Sequence, residues 1–227
     1  MDGKTVIRYL GHSAFQIVAV DGARIVIDPY SNDEWPNQPR PFPEDVVADV
    51  VLIPHEHIDH NSTFNVKGDF KVIRTTGTHE ADKKHFYFVP SRHGEGGGFG
   101  VNYLNNIVSF RLDGMIFCHL GDLGTVLSEE QINYTIKPID FLMVPVGARD
   151  HALDLRDVDR VVDQLRPKVV FPIHYKMAGA SRENVDLEPV ETWAGNRKSV
   201  VRRSTDRVFV SRDDLPRGRE IWILEMA

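Results

Sequence analysis

Apolar residues follow two rhythms along this chain, one of short runs and one with a helical repeat. Lys4 to Leu10, Ala14 to Val20 and Arg24 to Ile27 are short β-rich runs. Gly11 and the pair Asp21-Gly22 separate them, and an Asp-Gly pair is a hairpin turn signal, so the chain opens as an antiparallel meander. Asp49 to Ile53 (DVVLI) is apolar without alternation, the mark of a strand buried on both faces. Lys71 to Arg74 and His85 to Pro90 read as strands, with a short helix expected over Thr78 to Lys84. Ile107 to Leu112 and Met115 to Leu120 form a hairpin around Asp113-Gly114.

The repeat changes in the second half. Ser128, with Gln131 three residues on, is a capping box that starts a helix over Glu129 to Lys137. Apolar residues at 155, 158, 161, 162 and 165 have the helical period, with Asp154 as cap and Pro167 beyond the end. Asp140 to Val146 and Lys168 to Ile173 flank that helix as buried strands, giving strand, helix, strand. Residues 178–206 lack a clean period and read as an irregular excursion, and Val208 to Ser211 and Glu220 to Leu224 read as closing strands. Pro36, Pro39, Pro41 and Pro43 forbid regular structure over Ser31 to Ala48, because each lacks an amide hydrogen. Trp35 and Phe42 in this loop either wall a pocket or pin the loop to the core.

Composition narrows the class. At 227 residues, 41% hydrophobic and 26% charged, the chain has enough apolar material for one large folded domain spanning 1–227. A formal charge of −6 disfavours a nucleic-acid partner, since phosphate binding needs a clustered basic face. A small-molecule substrate is expected instead, and homo-oligomerisation is left open. The single cysteine, Cys118, sits in an apolar stretch where it behaves as a small hydrophobe and fits a reducing compartment. The start MDGKTVIRYLGH lacks an apolar run long enough for a signal or a membrane span, so a cytoplasmic location is expected.

The chemistry concentrates in Pro54 to His60, PHEHIDH, directly after the buried run at 49–53. A solvated polar turn is the plain reading of such a run. Four ligand residues within six positions at a core strand's end argue instead for a cation site, since His55, His57, Asp59 and His60 are donors for zinc, manganese or iron. Asp28 stands at another strand end, either as a turn residue or as a carboxylate that orients a ligand imidazole. His12, in GHSAF, is either a hydrogen-bonded structural residue or part of the pocket. His93 heads a run holding Gly94, Gly96, Gly97, Gly98 and Gly100; His79 and His85 compete with it, and spacing does not exclude them. Asp122 ends the hairpin in HLGDLG, and His119, an odd offset earlier, should point to the opposite face and support the site unless a bend brings it round. His174 follows the buried strand at 168–173.

HEHIDH fits HxHxDH, and with GD at 121–122 and FPIHYK near 174 it resembles the metallo-β-lactamase superfamily, in particular its bacterial metal-dependent hydrolase branch. The resemblance runs from LGHSAFQI at residue 10 to residue 176. It implies an α/β fold, an αββα four-layer sandwich. It also implies two divalent metal ions, zinc or manganese: one held by His55, His57 and His93, the other by Asp59, His60 and His174, with Asp122 shared. Such a pair would activate a bridging water as hydroxide, with Asp59 or Asp122 as the catalytic carboxylate that moves the proton.

The expected activity is hydrolysis of an ester, lactone, amide or phosphoester bond, with a phosphodiesterase or nuclease-like member as alternative. A flavodiiron-type oxidoreductase is the competing class, but those relatives have an acidic residue where His57 stands and carry a flavin domain for which no chain remains. A non-enzymatic metal-binding protein usually shows eroded ligands, whereas all seven positions are filled.

Overall fold

The computed structural model describes residues 3–31, 40–94, 104–147, 153–180 and 187–227. Trp35, Pro36, Pro39 and the glycines at 96, 97, 98 and 100 lie outside the described residues.

Two mixed sheets face each other. The first contains β1 (Thr5–Gly11), β2 (Ala14–Val18), β3 (Arg24–Ile27), β4 (Val50–Leu52), β5 (Lys71–Ile73) and β13 (Arg207–Val210), ordered β13-β1-β2-β3-β4-β5. The meander β1 to β3 is antiparallel as expected, and β4 and β5 extend it in parallel. The second contains β6 (Gly77–Ala81), β7 (Lys84–Arg92), β8 (Leu104–Leu112), β9 (Met115–His119), β10 (Phe141–Pro145), β11 (Val169–Ile173), β12 (Val200–Arg203) and β14 (Glu220–Leu224). Its order is β12-β14-β11-β10-β9-β8-β7-β6, antiparallel from β6 to β9 and parallel from β9 onward.

The period of two along strands sorts side chains into layers. In β10, Phe141 and Met143 enter the core between the sheets, whereas Leu142 and Val144 face outward. That outward face is covered by α1 (Glu129–Tyr134), α2 (Leu155–Leu165) and α3 (Val190–Ala194). On the opposite side, among the described residues, irregular chain bearing Phe42, Val46, Ala48 and Val66 covers Leu10, Val26 and Val51. The prolines account for irregular chain there. Between the sheets, Phe117 stacks on Phe110 and Phe141 with centroids 5.3 and 4.9 Å apart. Phe117→Ala is expected to cost about 3–5 kcal/mol, read by chemical denaturation, because this fully buried site cannot collapse around the void.

Three local expectations are corrected. Thr78 to Lys84 is not a helix: Gly77–Ala81 is a strand paired with β7, and Asp82 and Lys83, at φ 47° and 59°, make the tight turn. As the last strand of its sheet, largely exposed, β6 carries polar residues that hide its alternation. The helix from Glu129 stops at Tyr134, where the Thr135 hydroxyl caps the Gln131 carbonyl. The stretch 178–206 contains α3 and β12, the latter running parallel to β14. No helix among the described residues is long and apolar enough to cross a membrane.

Candidate metal centre

Strand ends place the candidate ligands. β4, paired in parallel on both sides, ends at Leu52, and the chain turns at 57–60 with His60 N–H donating to His57 O at 2.9 Å. In parallel sheets the carboxyl ends of strands are where ligands collect. β9 ends just before Asp122, β7 just before His93 and β11 just before His174. The edge of β8 fixes the loop after β4: Pro54 O accepts from Asn106 N–H, and His55 Nδ1–H donates to Leu104 O at 2.7 Å.

The side chains assemble into two adjoining groups. His55, His57, His93 and Asp122 form one, and His12, Asp59, His60 and His174 the other; within each, the ligand-type atoms lie within 4.8 Å of one another. Asp122 stands between them, its Oδ2 against His93 Nε2 and its Oδ1 3.7 Å from His174 Nε2. Of the three histidines that competed for one position, His93 joins the site, its ring 4.8 Å from that of His55 and 4.9 Å from that of His57. His79 instead donates to Thr75 O at 2.6 Å and packs on Phe88, and His85 is exposed on β7.

Supporting groups set the imidazole tautomers. His60 Nδ1–H donates to Asp28 Oδ2 at 2.9 Å, so Nε2 faces the site and would offer its lone pair to a cation that displaces its proton. Asp28 is thus hydrogen-bonded to an imidazole of the cluster, the contact that a carboxylate orienting His60 would make. His119 uses both ring nitrogens, Nε2–H donating to Ser13 O and Nδ1 accepting from Gly121 N–H, so it has no lone pair for a cation. It ties the two sheets together beneath the site.

The donors fit a divalent cation. His55 Nε2, His60 Nε2 and Asp122 Oδ1 are buried without a hydrogen-bond partner, which is costly for polar atoms unless something charged completes them. His60 Nε2 stands 3.2 Å from Asp59 Oδ2 yet is not aimed at it. Backbone strain concentrates here as well. Among the described non-glycine residues with positive φ, Asp82, Lys83, Asp113 and Arg166 serve turns or a helix end, whereas His12, Asp28 and His174 all belong to the site. Such conformations cost on the order of 1–3 kcal/mol each and persist where surroundings over-determine them.

Charge is distributed unevenly. Burial lowers His55 to about 4, reinforced by His60, and lowers His12 to about 4, reinforced by His174. Burial and His93 also lower His57. In the second group burial opposes charge on His60, but the Asp28 and Asp59 carboxylates outweigh it and hold the imidazole well above its usual range. His174 is raised despite burial, chiefly by Asp122. Burial would raise Asp59 and Asp122, yet the surrounding imidazoles, His60 foremost for Asp59 and His174 for Asp122, hold both carboxyls well below theirs.

One supporting residue escaped the sequence reading. Asn105 Oδ1 accepts from Asp122 N–H at 3.0 Å, while its amide donates to Ser91 Oγ and Leu120 O. Gly121, at φ 58°, is required beside it, because a Cβ there would strike the Asn105 side chain. The glycine before Asp122 was the available signal; the asparagine, seventeen residues upstream on β8, carried none.

Similarity to known proteins converges on one family. Residues 6–174 match the model of the β-lactamase superfamily domain. A crystal structure from Thermotoga maritima, described as a zinc-dependent hydrolase of the metallo-β-lactamase superfamily, is 30% identical, with a TM-score of 0.77 over 98% of this chain and 100% of that one. A metal-dependent hydrolase of Carboxydothermus hydrogenoformans is 29% identical over 74% of this chain and 84% of its own length. Another, from Thermococcus onnurineus, is 26% identical over 82% and 97%.

Proposed function

The chain belongs to the metallo-β-lactamase superfamily, and we propose that it is a metal-dependent hydrolase acting on an ester, lactone, amide or phosphoester bond of a small molecule. The observation that carries this reading is the pair of adjoining four-residue clusters with Asp122 between them and unpartnered ligand atoms in each. His55, His57 and His93 would hold one divalent ion, Asp59, His60 and His174 the other, and Asp122 both. Histidine-rich donors favour zinc, and the carboxylates also accept manganese. When bound, such ions polarise an oxygen of the scissile group and bring the pKa of a water near neutrality, so no serine or cysteine nucleophile is needed.

The chain's own groups orient and exchange protons. Asp28, through His60 Nδ1, and the Leu104 carbonyl, through His55 Nδ1, keep both Nε2 lone pairs turned inward. Asp59 is the carboxylate we assign to carry the proton away, since it is 8% exposed against 2% for Asp122. Ile58, between His57 and Asp59, and Leu104, whose carbonyl accepts from His55, are 47% and 57% exposed, which would favour a substrate with an apolar portion.

Purified protein stripped with a chelator and reconstituted should bind about two ions per chain and regain activity on a panel of phosphodiesters, lactones, thioesters and sugar lactones. Less than one ion per chain after reconstitution would overturn the reading.

A further inference from the structure

His12 is more than a neighbour of the second cluster. Its Nε2 lies 2.9 Å from Asp59 Oδ2 in hydrogen-bond alignment, the shortest approach of an imidazole to that oxygen among the described residues. His60 Nε2, at 3.2 Å, and His174 Nε2, at 3.7 Å, stand farther off, and the former is not aligned with it. An ionised carboxylate can only accept, so the proton of this bond resides on His12 Nε2. A nitrogen that carries a proton toward Asp59 has no lone pair there to offer a cation.

The turn that presents His12 is fixed from several sides. His12 O accepts from His174 N–H at 3.0 Å and from the Tyr9 hydroxyl at 3.0 Å. Ser13 O accepts from His119 Nε2–H, and the ring of His12 packs 4.4 Å from that of His174. Gly11, at φ 111°, admits Met226 and the Tyr30 hydroxyl where a Cβ would stand. His12 itself holds φ 52°, a conformation that histidine and asparagine adopt more readily than most residues. This much restraint on one turn delivers a donor to one carboxylate oxygen.

We propose that His12 is a positioning residue: its Nε2–H holds Asp59 in the rotamer that serves the second cation, and His12 does not itself coordinate the ion. The proposal rests on the two-cation reading above, and a wild-type protein that fails to bind two ions would fail that reading first.

Three measurements test it. His12→Asn suits the left-handed backbone but falls short of Asp59, whereas His12→Gln carries an amide donor to about the position of Nε2. Relative to wild type, His12→Asn should weaken the second ion about 10–100-fold in competition with a chelator, leave the first unchanged, and His12→Gln should recover to within about three-fold. In protein loaded with cadmium-113 and labelled with nitrogen-15, His60 and His174 should show nitrogen to cadmium coupling, and His12 should keep its Nε2–H and show none. Wild-type affinity in His12→Asn, equal loss in both variants, or coupling at His12 would each overturn the proposal. The coupling measurement uses the wild-type chain and decides the question even where a variant fails to fold.

Discussion

Asp122→Asn should lower turnover by at least about three orders of magnitude, some 4 kcal/mol of transition-state stabilisation, and weaken both ions together. The carboxylate's two oxygens face different clusters, Oδ2 toward His93 and Oδ1 toward His174, while its backbone is held by Asn105. An amide keeps the shape but offers one weak oxygen and no charge. His57→Ala makes the contrast, since His57 belongs to the first cluster alone and its loss should weaken one ion preferentially. Metal titration alongside turnover separates the cases. If Asp122→Asn loosened only one ion, Asp122 would be a ligand of that cluster and not shared.

The strand ends that carry the candidate ligands are legible in the sequence because core strands betray themselves. DVVLI before His55 and KVVFPI before His174 are apolar on both faces, and both strands lie between parallel neighbours. The orienting role of Asp28 was open between two readings, and its bond to His60 favours one. What stayed hidden depends on neighbours far away in sequence. Asn105 holds Asp122 across two strands, and His12 meets Asp59 forty-seven residues on; neither contact has a local signature. The edge strand β6 looks helical in sequence for a related reason: mostly exposed and at the end of its sheet among the described residues, it is free to carry polar residues in no clear alternation. A polar strand and a polar helix then look alike.

Metal uptake by chelator-stripped protein should release protons, and the second cluster should supply them. His60 and His174 have pKa values raised above the ordinary 6.5, so in stripped protein they carry protons near neutrality that an ion must displace. His55, at about 4, and His57, lowered, are already uncharged. Apparent affinity of the second cluster should therefore fall as pH drops below those raised values, by about ten-fold per pH unit for each proton displaced, while His55 adds no such dependence near neutrality and His57, lowered by burial, adds less than an ordinary imidazole. Dialysis at pH 6 should strip the second ion and spare the first; at pH 8 both should remain. The stripped protein's stability follows the opposite sign. A raised imidazole pKa contributes stability that is full below 6.5 and is lost as pH rises through the raised value, whereas the depressed Asp59 and Asp122 contribute stability above the ordinary carboxylate range that is lost as pH falls through their depressed values. The depressed imidazoles of His12, His55, His57 and His119 act the other way, their contribution being lost as pH falls below 6.5, so stripped protein should be most stable near pH 6.5, and loaded protein should gain its stability toward higher pH. Calorimetric titration in buffers of different ionisation enthalpy counts the protons. Uptake of the second ion with no proton release, or parallel loss of both ions on acidification, would contradict this division between the clusters.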